Sequence, residues 1–166
     1  MTNSSSLVDV EAIQDFFSSK LSRLLQDEKW EYDRQWTDAI HKHMAGIGKK
    51  RGLLVYASKS RCAEADGPEW LYDHHWRVQN EDGALVSTPL VMEIEWGNDE
   101  KIIEDFLKLV QARAALRVMV FQRNDVEGMI ERLIAMAKTF DGSQRGDKWI
   151  FAGWDKARMH CELHVL

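Results

Sequence analysis

An α/β fold, with a mixed sheet of about five strands flanked by helices, is predicted by three observations. Segments with apolar residues at helical spacing alternate with short apolar or period-two runs. Their order along the chain reads α-α-β-β-β-α-β-α-β. The second half contains a strand–helix–strand unit, which makes a parallel pair by a right-handed crossover. The 166 residues are 45% hydrophobic and 30% charged. That length and usage suit one folded domain and exclude disordered, collagen-like and coiled-coil classes.

The Ser-rich residues 1–7 are expected to be a flexible N-terminus, with a single domain over 8–166. Ile13, Phe16, Phe17, Leu21, Leu24 and Leu25 predict a helix from Val8 to about Gln26. Trp36, Ile40, Met44 and Ile47 predict a second one over about 30–47, ended by Gly46, Gly48 and Gly52. Strand signals follow in LLVYAS (53–58), EWLYDHHWRVQ (69–79) and TPLVMEIEW (88–96), with the turn-like NEDG (80–83) between the last two. Pro68 and Pro89 are placed at strand starts, where a missing N–H does least harm. A helix over about 99–115, the strand LRVMVFQ (116–122), a helix over about 126–140 and one strand in 148–166 complete the chain.

The formal net charge of −5 and pI near 5.7 exclude a protein that coats nucleic acid by bulk charge. They leave room for one that meets phosphates through a few placed cations or a metal ion. Cys62 and Cys161 are the two cysteines. Without a CxxC pair, neither a disulfide scaffold nor a thiolate zinc site is expected, and a reducing cytoplasm is the default. No basic start leads an apolar run, and no apolar stretch nears the ~20 residues of a membrane span, so no membrane partner is expected.

Side chains alternate across a strand, so Glu93 and Glu95 share a face, as do Asp73, His75 and Arg77 on the preceding strand. Pairing through the NEDG turn brings Asp73, Glu93 and Glu95 to one side. Three gathered anions repel and are costly to desolvate. A hard divalent cation such as Mg²⁺ relieves both costs and activates water for attack on a phosphodiester. The alternative is that Glu93 and Glu95 form the solvated face of an amphipathic strand.

The order of elements, with Asp73 on the second strand and E-x-E at Glu93–Glu95 on the third, resembles the core of the PD-(D/E)XK nuclease superfamily. The resemblance spans roughly residues 30–122 and implies a restriction-endonuclease-like fold. It implies that Asp73 and Glu93 ligate Mg²⁺ or Mn²⁺ and that Asp73, Glu93 and Glu95 are the catalytic set. Glu95 stands where the family has its usual Lys. The stretch EIEWGNDEKIIEDFLKL (93–109), with Asn98 and a D-x-x-K helix (Asp105, Lys108), resembles the E-x-E subgroup that works without it. The implied activity is phosphodiester hydrolysis of DNA rather than RNA, by a protein that is often a homodimer. The alternative is a catalytically inactive member of the fold acting as a protein-interaction or regulatory binding module.

Such proteins often add an acid from the first helix, for which Glu31 and Asp33 are the candidates. Both also suit capping of unpaired N–H groups at a helix start. Lys49, Lys50, Arg51, Lys59 and Arg61 form one locally basic stretch, able to contact phosphate or to guard a strand edge. Lys108 is either a solvated lysine or a displaced catalytic one. Arg113 is expected within the apolar arc of its helix. His75 shares the face of Asp73 and is a candidate proton carrier or surface residue. Trp70, Trp76 and Trp96 flank the site, as stacking surfaces or as core.

Overall fold

The computed structural model describes residues 7–28 and 31–166. The expected flexible segment therefore lies, apart from Leu7, outside the described residues, as does Trp30. The N-terminal periodicity forms one helical run in three pieces: α1 (Val10–Asp15), a wider π-helical stretch (Phe16–Lys20) and α2 (Leu21–Glu28). A separate α3 (Asp33–Lys50) follows, so the two helical patterns are two helices. The remaining order is β1 (Leu54–Ala57), β2 (His74–Gln79), β3 (Leu85–Glu95), α4 (Asp99–Gln111), β4 (Leu116–Gln122), α5 (Val126–Thr139), β5 (Lys148–Trp154) and β6 (Met159–Val165). Among the described residues no helix is long and apolar enough to cross a membrane.

The strands form one mixed six-stranded sheet in sequential order. β1–β2–β3 is an antiparallel meander, β3–β4–β5 is parallel, and β6 returns antiparallel to β5. The two crossovers through α4 and α5 run in one direction, so one hand puts both helices on one face. The other face is covered by the N-terminal run and α3. Two cores result. One packs Phe17, Ile40 and Met44 on Trp76, Met92 and Val118; the other packs Ile102, Phe106 and Leu133 on Val91, Met119 and Phe151. Gly48 lets α3 pass close above Trp76, since a Cβ there would sit 2.7 Å from Trp76 Nε1.

Four expectations are corrected. The C-terminal strand is a hairpin, β5 and β6, turning at Asp155, which accepts from the N–H groups of Ala157 and Arg158; the sheet thus has six strands, not five. Residues 69–73 are not part of β2, because Leu71 adopts a φ of 66° and Tyr72 N–H turns back to Trp70 O at 2.8 Å. Pro89 lies inside β3, at the register irregularity between Trp76 and Val78 where its missing N–H interrupts no regular ladder. α4 ends at Gln111, so Arg113 is exposed in the connection to β4. Arg117 is the buried arginine instead: its Nε donates to Leu109 O and its Nη2 to Ala112 O, tying β4 to the end of α4.

Candidate functional site

β2 and β3 run antiparallel, so the start of β2 lies beside the end of β3. The ladder closes at His74↔Met92. One residue earlier, the Asp73 side chain takes over the role of backbone pairing: its Oδ2 accepts from Ile94 N–H at 2.8 Å. This pins the Asp73 carboxylate beside Glu93, on the face covered by α4. That helix starts at Asn98, whose Oδ1 accepts from Lys101 N–H at 3.1 Å. With Ile102, Phe106 and Leu109 turned to the core, Asp105 and Lys108, one turn apart, face the pair of acids.

Glu93 is fully buried. Lys108 Nζ donates to its Oε1 at 3.2 Å and lies 2.7 Å from Asp105 Oδ1. Glu93 Oε2 is buried with no hydrogen-bond partner. Burial first, and the charge of Asp73 second, push the Glu93 carboxyl up to about 9, against the pull of Lys108. Burial also raises Asp73, against the pull of its hydrogen bonds from Ile94 N–H and Glu93. With its carboxyl at about 9, Glu93 holds a proton at neutral pH. Burial opposes the Lys108 charge, yet hydrogen bonding to Asp105 holds its ammonium above the ordinary lysine range.

The other candidates fall elsewhere. Glu95 curls onto its own turn, its Oε1 accepting from Gly97 N–H at 2.5 Å. Glu31 and Asp33 are exposed at the start of α3, the helix on the opposite face. Three of the basic residues are taken up in ion pairs: Lys49 with Asp66, Arg51 with Asp9 at 2.7 Å, and Arg61 with Asp38 at 3.7 Å. Lys50 and Lys59 are exposed. His75 is buried and turned to Arg77, whose Nε donates to His75 Nε2 at 2.7 Å. Burial and then Arg77 push its imidazole down to about 4, so it is neutral. Trp76 is core, and Trp96 donates to Thr37 Oγ1 at 2.9 Å. Trp70 is 64% exposed.

Among the described residues no group of three or more His, Cys, Asp or Glu side chains is arranged to hold a metal ion. The expected three-acid site is thus reduced to two acids. Mg²⁺ needs only one or two carboxylates when water and substrate oxygens complete its shell. Glu93 Oε2, beside a second carboxylate, is the position that either the Glu93 proton or a cation would satisfy. Tyr72, half-buried by the same cluster, was not singled out by the sequence; burial and the charge of Glu93 raise its phenol. Its one sequence signal is its place next to Asp73. No family model, no curated protein and no solved structure matches this chain.

Proposed function

We propose that this protein is a divalent-metal-dependent phosphodiester hydrolase acting on DNA, with the restriction-endonuclease-like organisation that its motif order resembles. The observation that carries the reading is Asp73, just before β2, set beside the fully buried Glu93 of β3, with Lys108 Nζ 3.2 Å from the Glu93 carboxyl. Asp73 and Glu93 would hold Mg²⁺ or Mn²⁺. When bound, that ion neutralises charge on the phosphodiester and lowers the pKa of an attacking water. Lys108 replaces the lysine missing from the strand motif: the position of Glu95 carries an acid, and the ammonium comes from α4 instead. Its role is to donate to the phosphate oxygen or to orient the water, a contribution worth about 10²–10³ in rate for a preorganised donor. Asp105 positions Lys108 from one turn away, and Ile94 N–H fixes Asp73.

The test is nicking of supercoiled plasmid and degradation of single-stranded DNA with Mg²⁺ or Mn²⁺. Wild-type protein is expected to cleave, and Asp73→Asn and Glu93→Gln to be inactive. Cleavage that survives both substitutions overturns the reading. A second reading, a binding module without catalysis, is favoured by the closed Glu93–Lys108–Asp105 ion pair, in which the lysine is already satisfied by protein oxygens. Under it, none of the proteins cleaves and no divalent ion raises the unfolding temperature.

A further inference from the structure

We propose that Trp70 is the stacking platform for an unpaired base of single-stranded DNA, delivering that strand to the Asp73–Glu93 pair; the proposal rests on the hydrolase reading. Large apolar side chains normally fold inward, yet Trp70 is 64% and Leu71 55% exposed, side by side. They are held out by the three-residue turn closed by Tyr72 N–H and Trp70 O at 2.8 Å, with Leu71 at a φ of 66°. That conformation is strained for a branched residue. The turn ends at Tyr72, immediately before Asp73. The segment borders the site: Tyr72 adjoins Asp73 in the chain, and Asp73 is held beside Glu93 by the Ile94 N–H.

Trp70 is also backed. The Arg77 guanidinium lies 5.4 Å from its ring centroid and 3.9 Å from that of Tyr56. His75 Nε2 fixes the guanidinium from its edge at 2.7 Å. An aromatic ring already stacked on a cation, with the rest of the indole in solvent, is a preformed surface for a further π-face. A base inside a duplex has both faces covered by its neighbours, so only an unpaired base fits. Charge points the same way. A duplex-tracking groove needs many unpaired cations, whereas Lys49, Arg51 and Arg61 are engaged with Asp66, Asp9 and Asp38.

The test is fluorescence anisotropy with a labelled oligothymidine of about twelve nucleotides and a duplex of equal length, without divalent metal. Wild type is expected to bind the single strand tighter than the duplex. Trp70→Ala should weaken single-strand binding by about 5- to 150-fold, the range for losing one stacked base, and Trp70→Phe should restore most of it. Trp70 is exposed, and circular dichroism spectra that match wild type will show that the variants fold. Equal single-strand binding by wild type and Trp70→Ala, or tighter duplex binding by wild type, overturns the proposal. The hydrolase reading is scored separately by cleavage. A protein that cleaves but ignores Trp70→Ala keeps the first reading and loses this one. A protein that binds through Trp70 but never cleaves does the reverse.

Discussion

Lys108 Nζ lies 3.2 Å from Glu93 Oε1, although one residue sits on α4 and the other on β3. The contact sets a cation against the buried Glu93, and it gives the first expectation. Lys108→Met removes the cation while keeping the stem that lies along α4. Cleavage should fall about 10²–10³-fold with the fold retained. Lys108→Arg should recover part of it, since the charge remains and the geometry changes. A Lys108→Met protein that cleaves at the wild-type rate would remove the lysine from the site.

Glu93 makes stability depend on pH. Its carboxyl is raised from 4.5 to about 9 in the folded protein. The stabilising protonated form is fully present below pH 4.5, and its contribution is lost as pH rises through 9. The slope has an upper limit of about 1.4 kcal/mol per pH unit for this one group. Glu93→Gln carries no such proton, so its stability should fall less than wild type between about pH 6 and pH 8.5. Urea unfolding at the two pH values measures the difference.

A cation and the shared proton compete for the same carboxyl pair. Mg²⁺ should therefore raise the unfolding temperature more at about pH 8.5 than at about pH 6, by up to ~2.7 kcal/mol of added stability at a hundredfold excess over Kd. Asp73→Asn should abolish the increment. Stabilisation that persists in that variant would place the ion elsewhere.

On the opposite face His41 and His74 meet Nδ1 to Nδ1 at 3.1 Å, and Trp76 Nε1 donates to His74 Nε2 at 3.2 Å. His74 Nε2 is thus an acceptor, so its Nδ1 carries the proton and donates to His41 Nδ1. Protonating either ring destroys this chain. Burial, and then Arg61, push His41 down to about 4, and burial pushes His74 well below its ordinary value. For lowered histidines the stability is intact above pH 6.5 and is lost as pH falls below it, by at most about 1.4 kcal/mol per residue per pH unit. His41→Phe should show a shallower acid limb in urea unfolding at about pH 5, together with a cost of about 1–3 kcal/mol at neutral pH from the unpaired His74 donor.

Gly67 abuts the ring of Tyr56, and an added Cβ would sit 2.1 Å from Tyr56 Cε1. Gly67→Ala must displace the ring on which Arg77 rests. A loss of about 1–3 kcal/mol is expected, typical of overpacking, with weaker single-strand binding through the disturbed Arg77–Trp70 contact. Chemical denaturation and anisotropy check the two effects.

Helices with a clean apolar stripe and strands such as 116–122 were legible because their burial follows from local periodicity. The C-terminal hairpin was not. WDKARM carries no Gly or Asn turn signal, and its reversal depends on the Asp155 carboxylate, whose bonds exist only after the chain has turned. Strand alternation predicted Asp73, Glu93 and Glu95 on one face, but Asp73 lies before β2 and is set beside Glu93 by the Ile94 N–H. The chain turning at Gly97 diverts the Glu95 carboxylate to a backbone N–H.

The sequence by itself determined the α/β class and the main helices and strands, since periods of 3.6 and two are properties of the local chain. Tertiary structure decided which charges meet. Lys108 reaches Glu93 because the crossover lays α4 over β3, and Lys49, Arg51 and Arg61 find Asp66, Asp9 and Asp38 on other elements. Coulomb interaction and desolvation act through space, so a carboxyl pushed up to about 9 and three cations paired with distant acids owe their state to the folded arrangement.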